Sequence, residues 1–258
     1  MPAAGPNPIA GRARAAAKSA VAEGPVASDR VSSAGARARP GVVYVVAKAP
    51  RPGAAKTRLC PPLTPEGAAR LARAFLLDTL ANVRAAGLAA RVICRDAAER
   101  EALRPLVGSS TTIQLQDGAG LGAALESAFR HGLADGFPAV GVFGADTPTL
   151  PPVVLAGAFE AVSDGADVAL GPSEDGGYYL LAARAVYPSL FRNMVWSTAS
   201  VAAITLRRCR EAGLRTHRLL LWYDVDDAAG LARLRQELRQ APPGVAPHTR
   251  SELFSANR

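Results

Sequence analysis

The chain has 258 residues, which is enough for one α/β domain with tails. No apolar run approaches the roughly 20 residues that a bilayer span requires, so we expect a cytoplasmic protein without a membrane partner. The net charge is +8, but half of this excess lies in the first forty residues, which contain six basic and two acidic residues. Because no basic face with interleaved aromatic residues is visible, we expect no nucleic-acid partner.

Cysteine and histidine are scarce and scattered, with three residues of each type in the chain. No CxxC spacing occurs, and the odd number of cysteines is typical of reduced cytosolic thiols. The sequence therefore gives little support to a zinc site, to a Cys–His nucleophile or to a Ser–His–Asp triad. The residues are Cys60, Cys94, Cys209, His131, His217 and His248.

Composition divides the chain into three parts. Residues 1–40 consist mainly of Ala, Gly, Pro, Ser and Arg and predict a disordered extension. A transit peptide is an alternative, since the stretch is rich in Arg and poor in acid, although it lacks a clear amphipathic helix. We predict a single domain over residues 41–240 and a flexible, Pro-rich tail over 241–258.

Strand and helix patterns alternate from Gly41 onward. The first is a continuous apolar run at 42–47, typical of a strand buried on both faces. A helix then opens at Thr64-Pro65-Glu66 and ends before Gly87. Further strands are predicted at 91–94, 112–115, 139–143, 168–170, 178–181 and 215–219, and further helices at 97–106, 121–133, 151–162, 197–212 and 227–238. This alternation predicts a three-layer α/β/α fold with a mostly parallel sheet.

A basic loop follows the first predicted strand. In open α/β sheets, ligands bind beyond the carboxyl ends of the strands. Several cations beside backbone amides that can approach closely are suited to a polyphosphate. The loop matches neither a Walker A motif nor GxGxxG. A solvated basic loop is the alternative, but its position after the leading strand favours nucleotide binding. The candidate residues are Lys48, Arg51, Gly53, Lys56, Thr57 and Arg58.

Acidic residues follow two further elements. Asp146 comes directly after a buried apolar strand, where a lone carboxylate is costly unless it binds a cation or caps a helix. Thr149 is a rival for the capping role. In an extended D-x-D, Asp224 and Asp226 point to the same face. We therefore expect Mg²⁺, or Mn²⁺, to bind Asp146 together with one of these two, with water and phosphate oxygens completing the shell. Asp227 is predicted to cap the last helix.

Two other segments are candidates for contacting the acceptor. An Asp-Gly pair between two predicted strands is typical of a hairpin turn, and such a turn also allows backbone to approach a substrate. Trp196 precedes a predicted helix and would form a wall of the pocket, while Ser197 or Thr198 would cap that helix. The candidate acceptor residues are Asp175, Gly176, Gly177, Tyr178, Trp196, Ser197 and Thr198.

These segments together resemble a family of bacterial proteins known as DUF2064 or "transferase 1". The matching segments, in order, are VVAKAPRPGAAKTRL, GADTPTLP, LGPSEDGGYYLLA, WST and WYDVDD. They span Val42 to about Leu234. The resemblance implies a GT-A-like nucleotide-diphospho-sugar transferase fold and kinship with molybdenum-cofactor and phospholactate guanylyltransferases. One departure is the stretch 116–123, where relatives carry an acid-Leu-Gly and a nearby Arg.

Two reactions fit this prediction. We expect nucleotidyl transfer from a nucleoside triphosphate to a small phosphorylated or hydroxyl acceptor, because the loop carries more cations than a diphosphate needs. In that reaction Asp146 and Asp226 would hold Mg²⁺, while Lys56 and Arg58 would stabilise the departing pyrophosphate. Family labels favour the alternative, glycosyl transfer from a nucleotide sugar, some of it linked to arsenosugars. A non-catalytic binding module is a third hypothesis, which the retained Asp146 and loop cations oppose. The sequence does not indicate the oligomeric state.

Overall fold

The computed structural model describes residues 40–255. The extension predicted over residues 1–40 therefore lies outside the described residues, apart from Pro40. Within this range the strands are β1 (Val42–Val46), β2 (Ala89–Cys94), β3 (Thr112–Leu115), β4 (Val140–Gly144), β5 (Val168–Pro172), β6 (Tyr178–Ala183) and β7 (Thr216–Arg218). The helices are α1 (Pro65–Ala85), α2 (Ala97–Val107), α3 (Gly120–Ala134), α4 (Pro152–Ser163), α5 (Val201–Glu211), α6 (Ala228–Gln240) and α7 (Pro247–Phe254).

The strands form one sheet in the order β3-β2-β1-β4-β6-β5-β7. All pairs are parallel except those of β6, which runs antiparallel to both β4 and β5. The mostly parallel sheet predicted from the sequence is thus confirmed. β1 and β4 are neighbours, and Val46 pairs with Gly144 at their carboxyl ends. The loops after these strands therefore leave the sheet side by side, where the strand order reverses, which is the expected position of a ligand site.

Alternate residues of β1 are buried on opposite faces of the sheet. Val43 and Val45 belong to an apolar cluster with α1, α2 and α4. Val42 and Tyr44 belong to a second cluster with α3 and α5. Because β1 is apolar on both faces, helices cover both sides of the sheet, which confirms the three-layer architecture. No helix among the described residues has both the length and the apolar composition that crossing a membrane requires.

The C-terminal segment is more ordered than the flexible tail predicted from Ala241. The helix α7 packs against α1, and its first amides bind a carboxylate from that helix. His248 N donates to Asp78 Oδ1 at 3.1 Å, and Thr249 N donates to Asp78 Oδ2 at 2.7 Å. Asp78 is only 1% exposed, so it caps α7 from inside the protein. The capping group is 170 positions away, and local composition therefore could not indicate it.

Asp78→Ala should destabilise the protein by about 1–3 kcal/mol, because two backbone amides, of which that of Thr249 is buried, lose their acceptor. Urea denaturation of the full chain measures this change. Asp164→Ala is the matched control, since Asp164 is exposed at the end of α4. A loss for Asp78→Ala no larger than that of the control would show that α7 does not depend on this cap.

Candidate functional site

The side chain of Lys56 lies between two carboxylates that the sequence separates widely. Its Nζ lies 2.7 Å from Asp146 Oδ1 and 2.8 Å from Asp226 Oδ1. It also donates to Val225 O at 2.9 Å. The Lys56 side chain is 10% exposed, whereas those of Asp146 and Asp226 are 42% and 44% exposed. The ammonium group is thus enclosed, and the carboxylates face an open cleft.

Backbone and side-chain hydrogen bonds hold the two acidic loops together. Val225 N donates to Asp146 O at 2.9 Å, which joins the loop after β4 to the segment before α6. The Asn82 amide on α1 donates to Pro148 O and Leu150 O at 3.0 and 3.2 Å. The position of Asp146 is therefore fixed by hydrogen bonds from α1 and from the segment before α6 as well as by its own loop.

Lys56 itself has a left-handed backbone conformation, with φ of 50°. For a residue with a Cβ this conformation costs on the order of 1–2 kcal/mol. The three contacts of the ammonium group offset that cost. The residue with the strained backbone is thus the same residue that pairs with the two carboxylates.

The bridge changes the acid–base behaviour of its members. Burial lowers the pKa of Lys56, but attraction to Asp146 and Asp226 outweighs burial, and the net pKa is raised. The pKa of Asp146 is also raised, chiefly because the floor of the cleft displaces its hydration; attraction to Lys56 opposes this and repulsion from Asp226 adds to it. Lys56 is therefore protonated at neutral pH and acts as the resident cation of the site.

A basic cleft opens on the side of β1. Its lining includes Lys48, Lys56, Thr57 and Arg58 together with Asp146 and Asp226. Lys48 and Arg58 are exposed, and no carboxylate among the described residues lies within ion-pair distance of either. The cleft thus offers two uncommitted cations next to the bridged carboxylates, an arrangement suited to several phosphate groups.

Two of the predicted nucleotide-binding residues do not line this cleft. The side chain of Arg51 lies against α2, with its guanidinium 3.5 Å from Glu99 Oε1. Glu99 also accepts a hydrogen bond from Ala49 N. Gly53 lies in an exposed turn with positive φ. The structural reason is the buried Glu99, which holds the start of the loop and attracts the nearest guanidinium; the sequence contained no signal for this pairing.

A second cleft adjoins the first along Asp146 and Asp226. It has a volume of about 250 Å³. Leu121, Leu125 and Val46 contribute apolar surface, and Tyr178 and Trp196 contribute aromatic surface. The two rings meet edge to face, with centroids 6.4 Å apart.

The two acids of the D-x-D take different roles. Asp226 joins Asp146 at Lys56, whereas Asp224 lines the second cleft and accepts a hydrogen bond from Ser173 Oγ. Burial raises the pKa of Asp224 to about 7, since the Ser173 hydrogen bond only partly opposes it and Asp175, Asp146 and Asp226 add repulsion. Ser173 was not predicted from the sequence, since a Ser beside the Asp-Gly turn is unremarkable until Asp224 is placed opposite it.

The predicted Asp-Gly hairpin is present between β5 and β6. Ser173 N donates to Gly177 O at 2.9 Å, and Gly177 N donates to Asp175 Oδ1 at 2.8 Å. Gly176 has φ of 87°, and a Cβ there would meet Ala199 O at 2.0 Å. Gly176 O also accepts a hydrogen bond from Ala202 N at 2.9 Å. The turn thus rests directly on the segment before α5.

The structure decides among the candidate helix caps, and the one predicted for α5 is wrong. The helix α5 begins at Val201, with Ser200 as its N-cap and no side-chain cap bond, so neither Ser197 nor Thr198 caps it. Thr198 Oγ1 instead donates to Val195 O at 3.0 Å, and Ser197 and Thr198 line the second cleft. The helix α4 likewise has no side-chain cap, so neither Asp146 nor Thr149 serves there. The predicted cap Asp227 is confirmed, since its Oδ1 accepts from Gly230 N at 2.8 Å.

The family model described as "Uncharacterized protein conserved in bacteria (DUF2064)" matches residues 79–198. The match bears out the resemblance to DUF2064 over this stretch, which is 120 of the 258 residues. The matched stretch contains Asp146, the 173–177 turn and Trp196, whereas the Lys56 loop and Asp226 lie outside it. No curated protein matches the sequence.

Solved structures share the fold. One is named as a nucleotide-diphospho-sugar transferase from Desulfovibrio desulfuricans G20, an activity that its name gives as provisional; it has 28% identity and a TM-score of 0.77, covering 84% of this chain and 95% of that one. A nucleotidyl transferase from Methanothermobacter has 19% identity and a TM-score of 0.52, covering 78% and 99%. CMP:2-keto-3-deoxy-manno-octonic acid synthetase complexed with CTP has 14% identity and a TM-score of 0.50, covering 77% and 98%. The last two support the fold alone, and all three are named as transferases or synthetases.

Gly176→Ala should destabilise the protein by at least about 2 kcal/mol more than Gly136→Ala. Both positions have positive φ, 87° and 83°, so both variants bear the left-handed penalty of about 1–2 kcal/mol. Only Gly176 faces backbone, since nothing lies within 4 Å of a Cβ at Gly136. Urea denaturation measures the difference. Equal losses in the two variants would show that the 173–177 turn does not rest tightly on the start of α5.

Proposed function

We propose that this chain is a metal-dependent nucleotidyltransferase that moves a nucleoside monophosphate from a triphosphate to a small acceptor. One observation carries the proposal: a cleft with two uncommitted cations meets two carboxylates that converge on a cation. Phosphate groups and a divalent ion need these two surfaces side by side.

The residues present fit Mg²⁺ or Mn²⁺. The Lys56 ammonium is a stand-in, since a positive group already lies within 2.8 Å of an oxygen of each carboxylate. Among the described residues, no three acidic, His or Cys side chains form a metal-binding group. Two carboxylates completed by water and phosphate oxygens are the usual protein contribution to Mg²⁺. Asp146 and Asp226 would hold the ion, which would neutralise charge on the phosphate oxygens when bound.

The chain's own cations bind and stabilise the phosphates. Lys48 and Arg58 are positioned in the basic cleft to bind the terminal phosphates of the donor. Lys56 lines the same cleft and would stabilise the departing pyrophosphate, while a divalent ion held by Asp146 and Asp226 would supply the positive charge that these carboxylates receive from Lys56 in this structure. Electrostatic stabilisation of a leaving group that is already held in place is the main contribution a protein makes to such a transfer.

The second cleft holds the acceptor. It shares Asp146 and Asp226 with the basic cleft, so an acceptor bound there lies next to the phosphate that is transferred. Trp196 and Tyr178 shield one side, and the 173–177 turn borders it with Asp175 and Gly177. These residues orient the acceptor and reduce access of competing water.

Glycosyl transfer from a nucleotide sugar is the second candidate. The observation that favours it is the likeness to the structure from Desulfovibrio, which is named for nucleotide-diphospho-sugar transfer and is 28% identical. The three cations of the basic cleft favour a triphosphate over a diphosphate, and we therefore place nucleotidyl transfer first.

A product assay separates the two reactions. Purified protein with Mg²⁺ is offered each nucleoside triphosphate and each common nucleotide sugar against a pooled metabolite extract. Nucleotidyl transfer predicts pyrophosphate from one triphosphate, which also identifies the base. Release of UDP or GDP from a nucleotide sugar without pyrophosphate would replace the proposal with glycosyl transfer.

Asp146→Asn should lower kcat by at least about 100-fold, because it removes one of the two charges that hold the metal on the phosphate. The fold should be retained, since the side chain is 42% exposed and its backbone bond to Val225 remains. Steady-state kinetics with circular dichroism measures both properties. Asp164→Asn, the same change at an exposed helix end, should leave kcat unchanged. A kcat of Asp146→Asn within threefold of the unaltered protein would remove Asp146 from the mechanism.

A further inference from the structure

We propose that the acceptor carries no anionic group and is an uncharged or cationic hydroxyl compound of metabolite size. This inference rests on the proposed function and narrows the phosphorylated or hydroxyl acceptor expected from the sequence. The observation behind it is a sharp division of charge between two clefts that share one wall.

The cations line only the basic cleft, and two of the four acids, Asp175 and Asp224, line only the second cleft. Lys48, Lys56 and Arg58 line the former. The latter is lined by four acids, and within residues 40–255 no Lys, Arg or His contributes to its lining. A phosphate or carboxylate on an acceptor would therefore enter a cleft where Lys56, the cation at the shared wall, is already held by Asp146 and Asp226. The acids are Asp146, Asp175, Asp224 and Asp226.

Two of these carboxylates have no compensating cation. Asp146 and Asp226 both pair with Lys56, and a divalent ion in its place would balance both charges. Asp175 accepts a hydrogen bond from Gly177 N, and Asp224 accepts one from the Ser173 hydroxyl. Both donors are neutral groups, and no Lys, Arg or His among the described residues forms an ion pair with either acid. Their oxygens are the acceptors that hydroxyl or ammonium donors require.

Two arginines of an adjoining cleft are paired with acids. Arg130 and Arg192 line this cleft, which shares Trp196 with the second cleft. Arg192 lies 3.0 Å from Glu126, and Arg130 lies 3.1 Å from Asp117. They therefore do not supply a cation to an acceptor bound against Asp175 and Asp224.

The remaining lining describes the body of the acceptor. Trp196 and Tyr178 present ring surface, and Leu121 and Leu125 present aliphatic surface. Aromatic surface beside carboxylates is suited both to the C–H faces of a polyol and to an ammonium group, through cation–π attraction in the second case. The volume of about 250 Å³ is suited to a group of metabolite size.

The test uses Trp196 as a reporter of binding. The chain contains two tryptophans, so Trp222→Phe leaves Trp196 as the only one. Mg²⁺ and tripolyphosphate are added first to fill the basic cleft, and tripolyphosphate binding is measured separately by calorimetry. Matched pairs are then titrated: glycerol against glycerol 3-phosphate, glucose against glucose 6-phosphate, and ethanolamine against phosphoethanolamine.

We expect the uncharged or cationic member of a pair to bind at least 10-fold more tightly than its phosphorylated partner. Asp175→Asn with Asp224→Asn, in the same background, should reduce that ratio to below threefold. Asp117→Asn is the matched control, because Asp117 lines the adjoining cleft and not the second cleft. It should leave the ratio unchanged.

Three results would overturn the proposal: equal or tighter binding of the phosphorylated members, an unchanged ratio in the double variant, or no response of Trp196 to any uncharged or cationic member. Failure of the proposed function gives a different result. In that case tripolyphosphate does not bind in the calorimeter, while the acceptor titrations, repeated without it, still report on the second cleft.

Discussion

One ammonium group joins three segments that are far apart in the sequence. The Lys56 Nζ contacts Asp146 after β4, and Val225 and Asp226 before α6, while its own backbone belongs to the loop after β1. The parallel register of β1 and β4 places two of these segments side by side. The hydrogen bond from Val225 N to Asp146 O adds the third. The rest of the site depends on this arrangement, because without it two carboxylates would face each other without a cation.

The bridge also explains how two clefts of opposite character can share a wall. Asp146 and Asp226 border both, so the cation between them sets the charge at the boundary. On one side, exposed Lys48 and Arg58 are available to an anion; on the other, Asp175 and Asp224 offer oxygen acceptors and no cation. A donor with several phosphates and an acceptor without them would each have a single favourable cleft. Transfer then requires little of the protein beyond holding the two in line.

Local pattern predicted the sheet, its layers, the Asp227 cap and the acids after the strands, because buried strands and caps leave periodic or adjacent signals. Pairs of residues that are far apart in the sequence produce no such local signal. The loop sequence predicts that Arg51 binds phosphate, but its guanidinium pairs with Glu99 on α2. The sequence does not indicate a role for Ser173, because its partner Asp224 is 51 positions away. The helix α7 is capped by Asp78 on α1, which is farther still from it in the sequence. The sequence indicates that Lys56 belongs to the basic loop. Its contact with both acids depends on the pairing of β1 with β4, which is known only from the folded sheet.

The central claim is that Asp146 and Asp226 form a cation site that Lys56 occupies when no divalent ion is bound. Electron paramagnetic resonance of Mn²⁺ tests it most directly, since free and bound Mn²⁺ are counted in one titration. We expect Lys56→Met to bind Mn²⁺ at least 10-fold more tightly than the unaltered protein, because no ammonium competes, and we expect the addition of Asp146→Asn to abolish this gain. Equal Mn²⁺ affinity in the unaltered protein and in Lys56→Met, or a gain that persists without Asp146, would contradict it.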